Sequence, residues 1–166
     1  MAKKKEEKTN VMRILEQGKI PYTAYFCEGG EDPTHMRDYG AHVAEELGQD
    51  PARGFKTLVT RGASGAICVF EVPVLENLDL KKAARAAGEK SIALLPLGEI
   101  TAVTGYVRGG CSPVGMKKAY PTVFHQTALN YETIYISGGR IGAQVEVPPQ
   151  ALIDLLGART ADITAE

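Results

Sequence analysis

Two apolar runs, residues 55–60 and 66–73, flank the connection Arg61-Gly62-Ala63-Ser64-Gly65. Strand-forming runs joined by a short glycine-bearing turn read as an antiparallel β-hairpin. That hairpin restricts the fold more than any other feature, because it rules out a purely parallel, regularly alternating βαβ sheet. The remaining segments mix helices and strands in irregular order, which implies an α+β fold built around a mixed sheet that can curl toward a barrel.

The other elements follow from local signals. Residues 9–18 predict a helix capped by Thr9 or Asn10, striped by Val11, Ile14 and Leu15, and ended by Gly18. Residues 20–27 predict a strand with Pro21 at its entrance, and residues 29–33 a turn-rich loop. A second helix over 38–47 presents Val43, Ala44 and Leu47, and Gly48 and Pro51 stop it. Short helices are expected at 80–87, closed by Gly88, and at 97–103, with an apolar run at 92–95 between them. Strands are expected at 122–125, 133–137 and 141–147, the last two split by Gly138-Gly139, and a closing helix at 149–156. No repeat, low-complexity linker or composition break divides the chain.

At 166 residues the chain is expected to form one domain over residues 9–166, behind a frayed tail at residues 1–8. Apolar residues at 44% and charged residues at 23% exclude a disordered protein. The tail is rich in lysine and glutamate and has no apolar stretch of a secretory signal, so a cytoplasmic protein is expected. No apolar run approaches a membrane span. Cys27, Cys68 and Cys111 stand far apart without a CxxC pair, which argues against a disulfide framework or a zinc site and predicts no metal and no cofactor. A net charge of −1 is low for a protein that grips duplex nucleic acid through phosphates. Any RNA contact is expected at a local patch or a single-stranded end.

Three places carry possible chemistry. Lys56 shares a strand face with Leu58 and Thr60, while Phe55, Thr57 and Val59 take the other. With both faces partly buried, Lys56 either points into a cleft or reaches solvent at the strand end, and the pattern alone favours solvent. The loop Arg108-Gly109-Gly110-Cys111-Ser112-Pro113-Val114-Gly115 lets backbone approach a ligand closely and can turn N–H groups toward an anion. Taken alone, it reads rather as a tight connection between two strands. Ser137-Gly138-Gly139-Arg140 is a hairpin turn that also offers a hydroxyl and accessible amides. His35, His42 and His125 lack metal-ligand spacing and read as solvated or structural. No nucleophile elbow or HExxH motif is present.

In their order and combination, these segments resemble the YbaK family of Cys-tRNA(Pro)/Cys-tRNA(Cys) deacylases, related to the editing domain inserted in bacterial prolyl-tRNA synthetases. The resemblance spans residues 9–163. It is carried by Lys19-Ile20-Pro21-Tyr22, Ala44-Glu45-Glu46-Leu47-Gly48, Phe55-Lys56-Thr57-Leu58, Leu80-Lys81-Lys82-Ala83-Ala84, the run from Thr104 to Gly115, and Glu132-Thr133-Ile134-Tyr135-Ile136-Ser137-Gly138-Gly139-Arg140. It implies a compact single α+β domain around a mixed, barrel-like sheet. It also implies a pocket with Lys56 as its central polar residue, lined by Gly109-Gly110-Cys111-Ser112-Pro113 and closed by Ser137-Gly138. Tyr25 and Thr57 are further expected substrate contacts. Two positions depart from the family pattern: Cys27 stands where a tyrosine is frequent, and Gln144 where an aspartate is frequent.

The resemblance further implies an aminoacyl ester on the terminal adenosine of tRNA as substrate, with prolyl-tRNA synthetase as a possible partner. For a cysteinyl ester, the substrate's own thiol would attack its carbonyl and release a thiolactone. Lys56 would orient the ester and ribose, backbone N–H groups at Gly109, Gly110 and Cys111 would receive the oxyanion, and Ser112 and Ser137 would orient the amino group or ribose. Cys111 as a covalent nucleophile is a variant. Lys81, Lys82, Arg85, Arg108, Lys117 and Lys118 form either a basic rim for the acceptor arm or an ordinary solvated surface. The alternatives are a non-catalytic tRNA- or synthetase-binding module, or a deacylase for another small aminoacyl-tRNA.

Overall fold

A computed structural model describes residues 8–27 and 39–165 of the chain. Most of the expected tail, the expected loop at 29–33, and His35 lie outside the described residues.

Helix α1 (Asn10–Gln17) starts where Thr9 Oγ1 accepts the Met12 N–H at 3.2 Å. It buries Val11, Met12 and Leu15 on one face. Strand β1 (Thr23–Phe26) follows, then α2 (Tyr39–Leu47) and a 3-10 turn at Pro51–Arg53. The expected hairpin is β2 (Phe55–Gly62) and β3 (Ile67–Pro73), paired antiparallel with Lys56 opposite Val72 and Thr57 opposite Glu71. Helix α3 (Leu80–Ala87) is capped by Asp79, whose carboxylate accepts the Lys81 and Lys82 N–H groups, and it ends at left-handed Gly88. The chain continues through β4 (Ile92–Leu94), α4 (Leu97–Thr104), β5 (Thr122–His125), β6 (Ile134–Ser137), β7 (Ala143–Val147), α5 (Pro149–Leu156) and β8 (Arg159–Ala161). The sequence does not announce β8, because its residues lie at an exposed sheet edge without an apolar alternation.

The strands form two sheets. One is antiparallel with order β1-β7-β6; the other is mixed with order β4-β2-β3-β5-β8. In the second sheet β3–β5 and β5–β8 are parallel, and the remaining pairs are antiparallel. An isolated parallel bridge between Gly54 and Tyr135 joins the sheets where β2 begins. The mixed sheet matches the expectation, but the sheets do not close into a barrel, because they are linked through that bridge rather than a continuous ladder.

Two apolar cores result. Val11, Leu15, Ile134, Ile136, Val145 and Leu152 build the first from α1, β6, β7 and α5, and Phe55 and Phe124 enter it from the larger sheet. Phe70, Val72, Ala83, Val123 and Ile163 build the second beneath α3. Neighbours Val123 and Phe124 thus serve opposite faces of one strand, as the period of two requires. Strand β3 lies in the middle of the larger sheet between β2 and β5, gives Cys68, Phe70 and Val72 to the second core, and has six of its seven residues buried. Among the described residues no helix is long and apolar enough to cross a membrane.

Candidate active site

A cavity of about 220 Å³ opens where the two sheets meet. Its walls come from α2 (Gly40, Val43, Ala44), the start of β2 (Gly54 to Leu58), and Val74. The glycine loop adds Arg108, Gly109 and Cys111, β6 adds Tyr135 to Ser137, and the turn into β7 adds Gly142 to Gln144.

Lys56 is half-buried in this cavity, and its ammonium donates to the Val74 carbonyl at 3.5 Å. Thr57, Gly109, Cys111 and Ser137 join it in the lining. The Ser137 Oγ accepts the Gly139 N–H at 3.1 Å, which shapes the turn. The other expected contacts lie behind or beside the lining. Gly110 is buried and its N–H donates to the Val107 carbonyl at 2.9 Å, while Gly109 and Cys111 on either side of it line the cavity. Ser112 is fully buried, and its Oγ accepts the Val114 N–H at 3.2 Å. Pro113 faces a second depression shared with Lys118. Gly138 is buried; a Cβ there would sit 3.0 Å from the Ala143 and Gln144 backbone, so glycine lets β6 and β7 close at this point. Tyr106 anchors the glycine loop from below, its hydroxyl donating to the Val114 carbonyl at 2.5 Å.

Tyr25 stands one layer outward. Its hydroxyl donates to Glu146 at 2.8 Å, and its ring meets Tyr135 edge-on with centroids 6.0 Å apart. Arg53 lies 4.8 Å from the Tyr135 ring centre and also donates to Glu146 at 3.0 Å, while Thr133 donates to the same carboxylate at 2.5 Å. Burial tends to raise the Glu146 carboxyl, but the hydrogen bonds from Thr133, Tyr25 and Arg53 outweigh it and hold the group below its usual range. This network fixes Tyr135, which does line the cavity.

The two departures from the family pattern sit at the α2 side of the mouth. The Cys27 thiol donates to Glu46 at 2.6 Å, and its N–H donates to the Gly142 carbonyl at 2.7 Å. Gln144 lines the cavity, and its carbonyl oxygen accepts the Gln49 amide at 2.6 Å. Both residues therefore tie α2 and its exit to the smaller sheet.

The proposed basic rim disperses. Only Arg108 of that group lines the cavity. Lys82 is engaged by Asp162 at 3.1 Å and by the Thr164 carbonyl at 3.0 Å, and Lys117 donates to the Ala102 carbonyl at 3.1 Å. Lys81 and Arg85 are exposed on α3, which covers the second core. Among the histidines, His42 faces Glu46 at 3.7 Å, and buried His125 accepts the Ile163 N–H through Nδ1 at 3.2 Å.

One residue behind the cavity was missed. Glu71 is 0% exposed on β3, and neither carboxyl oxygen has a hydrogen-bond partner among the described residues. Burial pushes its carboxyl well above the usual range; its cross-strand neighbour Thr57 favours the charged form without offsetting this and without reaching good hydrogen-bond geometry. Burial first, and then the nearby Glu71 charge, push the Cys111 thiol up to about 12 against a hydrogen bond with Thr104. Cys111 is thus held as a thiol, a poor nucleophile. A lone acid inside the apolar run 66–73 was the available signal for Glu71.

Comparison with known proteins bears on what such a cavity does. The family described as the aminoacyl-tRNA editing domain matches residues 34–155. The chain is 45% identical, over 100% of its length and 99% of the relative's, to EbsC of Enterococcus faecalis, provisionally assigned as a Cys-tRNA(Pro)/Cys-tRNA(Cys) deacylase. The fold is also that of a crystal structure provisionally described as a trans-editing enzyme for prolyl tRNA synthetase, with TM-score 0.78 and 24% identity over 96% of this chain and 100% of that one. A crystal structure of hypothetical protein APE2540 is similar at TM-score 0.82 and 24% identity, over 95% of this chain and 100% of that one.

Proposed function

This chain belongs to the aminoacyl-tRNA editing domain family, and from that premise we propose that it is a trans-editing deacylase that removes cysteine from mischarged Cys-tRNA(Pro). The observation that carries the reading is the 45% identity to EbsC along the whole chain. A lysine-bearing cavity at the sheet junction supports it.

The ester is already activated, so the site has to hold the carbonyl, receive negative charge and enforce proximity. In the proposed reaction the substrate's thiol sulfur bonds to its own carbonyl carbon and the ester C–O bond breaks. The ribose oxygen takes the proton that the thiol gives up, leaving a cysteine thiolactone and free tRNA. Lys56 orients the ribose and ester. Backbone N–H groups of the glycine loop at Gly109 and Cys111 meet the developing oxyanion, with Gly110 holding the turn. Thr57 and Ser137 shape the adjoining walls, Ser112 and Pro113 stiffen the loop from behind, and Tyr25 steadies Tyr135. The high thiol pKa of Cys111, about 12, fits a route without a protein nucleophile. Selectivity for the tRNA species would come from prolyl-tRNA synthetase acting as a partner, and the cytoplasm is the proposed site of action.

The test incubates the purified protein with Cys-tRNA(Pro), Ala-tRNA(Pro) and Pro-tRNA(Pro) and follows ester loss. Selective loss of the cysteinyl ester is expected, and its absence refutes the reading. Lys56→Ala is expected to lower kcat/KM by roughly 100-fold, the range for losing one charge-stabilising contact. Full activity of that variant would remove Lys56 from its central role.

A further inference from the structure

One polar residue of the cavity keeps its polar atom out of it. Thr57 is half-buried and lines the cavity, yet its Oγ1 is buried. The part of Thr57 that borders the cavity is therefore not its hydroxyl. Thr57 shares a strand face with Phe55, and Phe55, Ile136 and Ala143 line the cavity with it. The wall on this side is built of carbon.

Behind Thr57 stands Glu71. The two residues are directly opposed across β2 and β3, a pairing that sets Cβ atoms roughly 4.5–5.5 Å apart on one face. Glu71 is 0% exposed, and among the described residues neither its two oxygens nor Thr57 Oγ1 has a hydrogen-bond partner. The other neighbours offer no relief. Phe124 of β5 stands opposite Glu71 on its far side, and the nearby Cys111 thiol is engaged with Thr104. Unpaired polar atoms are costly in a core. A threonine O–H can donate to a carboxyl in either protonation state, and the acid form can also donate back. Three orphaned atoms on one cross-strand pair thus have each other as the nearest remedy. A small turn of either side chain closes the contact. The contact also has a consequence for the cavity, because rotation about χ1 of threonine exchanges the hydroxyl with the methyl or hydrogen. An inward hydroxyl leaves the methyl to face outward, whereas a hydroxyl with no inward partner is free to turn toward the cavity.

We propose that Glu71 is a positioning residue that sets the cavity's preference for a thiol over a hydroxyl side chain, by holding the Thr57 hydroxyl inward and leaving its methyl in the wall. The identity of the ligand rests on the deacylase reading. Cysteine and serine side chains differ little in size, so shape alone separates them poorly. A thiol is weakly polar and polarisable and loses little on meeting carbon. A serine hydroxyl meeting the same wall gives up its water without finding a donor or acceptor.

The experiment uses two inert ligands, 3′-amino-3′-deoxyadenosine acylated at that amine with cysteine or with serine, and measures their affinities by calorimetry. The wild type is expected to prefer the cysteine amide. Glu71→Leu is expected to lower that preference roughly tenfold, part of the roughly 100-fold by which an apolar pocket rejects an added hydroxyl. Glu71→Gln, which can still accept and donate, should keep the preference. Glu71→Leu/Thr57→Val should restore it, since no hydroxyl remains to turn. A second measurement needs no ligand: three-bond couplings of the 13C-labelled Thr57 methyl to its backbone nitrogen and carbonyl report χ1. One rotamer is expected in the wild type and in Glu71→Gln, and averaged couplings in Glu71→Leu. Thermal melts check that each variant is folded. A folded Glu71→Leu with the wild-type preference, or a Glu71→Gln that loses as much as Glu71→Leu, overturns the proposal. Couplings that do not respond to Glu71→Leu overturn the contact itself, whatever the ligands do. A wild type that cleaves no ester and binds neither amide refutes the deacylase reading and the preference with it, while the couplings still decide the contact.

Discussion

Replacing Glu71 by glutamine tests whether the fold holds an uncharged acid in its core. Glu71 is fully buried, its oxygens have no hydrogen-bond partner among the described residues, and burial raises its carboxyl well above the ordinary 4.5. In that condition the native state keeps a proton that the unfolded chain has already released. Between about pH 4.5, the unfolded value, and the raised folded value, unfolding therefore releases one proton, and stability falls as pH rises. The slope approaches about 1.4 kcal/mol per pH unit for one group. Below the unfolded value both states hold the proton, and the contribution is fully present. Glu71→Gln keeps the shape but cannot ionise, so this loss disappears. Urea unfolding of both proteins at half-unit steps from pH 4.5 to 8 isolates the effect, since carboxylates such as Glu146 and Asp162 titrate alike in both. The difference in unfolding free energy should turn increasingly in favour of the glutamine variant as pH rises. Parallel curves across that range would refute the argument. Glu71→Leu should gain about 1–3 kcal/mol near neutral pH by removing a desolvated polar group.

Gly110→Ala is expected to cost about 1–3 kcal/mol, because the added methyl meets rigid backbone of Arg140 and Ile141 rather than a side chain that can turn away; urea unfolding measures this, and ester cleavage should fall with it as the two loops separate. Cys111→Ser should keep near-normal deacylation in a single-turnover assay, because the thiol it replaces is held protonated. Glu146→Gln should lose about 1–3 kcal/mol at neutral pH through its bonds to Thr133, Tyr25 and Arg53. Because the native Glu146 carboxyl is lowered, the wild type's advantage should fade as pH drops below about 4.5 through the folded value, measured by thermal melts.

Much of this protein can be read locally. Thr9 and Asp79 cap helices because their oxygens meet N–H groups two or three residues on, and Gly88 ends a helix because it takes the left-handed conformation without penalty. The hairpin between β2 and β3 needs only its two apolar runs and the turn between them. Those signals, with the order of the motifs, are enough for the α+β class and for the editing-domain family. The sequence by itself therefore determined the elements, their caps and the kinship.

What it left undecided depends on residues distant in the chain. Glu71 is buried on both sides only because β5 adds in parallel to β3, placing a strand some fifty residues later against it. Lys56 lines a cavity because Tyr135 and Ser137 of the other sheet close over it at the Gly54–Tyr135 bridge. Locally the glycine loop reads rather as a plain connection than as an anion nest; its contact with Arg140 and Ile141 and its place in the cavity wall come from the tertiary fold, which leaves Lys81 and Arg85 exposed on α3. Burial and proximity are properties of pairing between strands, and no local periodicity records which distant strand will arrive. The tertiary structure alone decided which polar residues share the site.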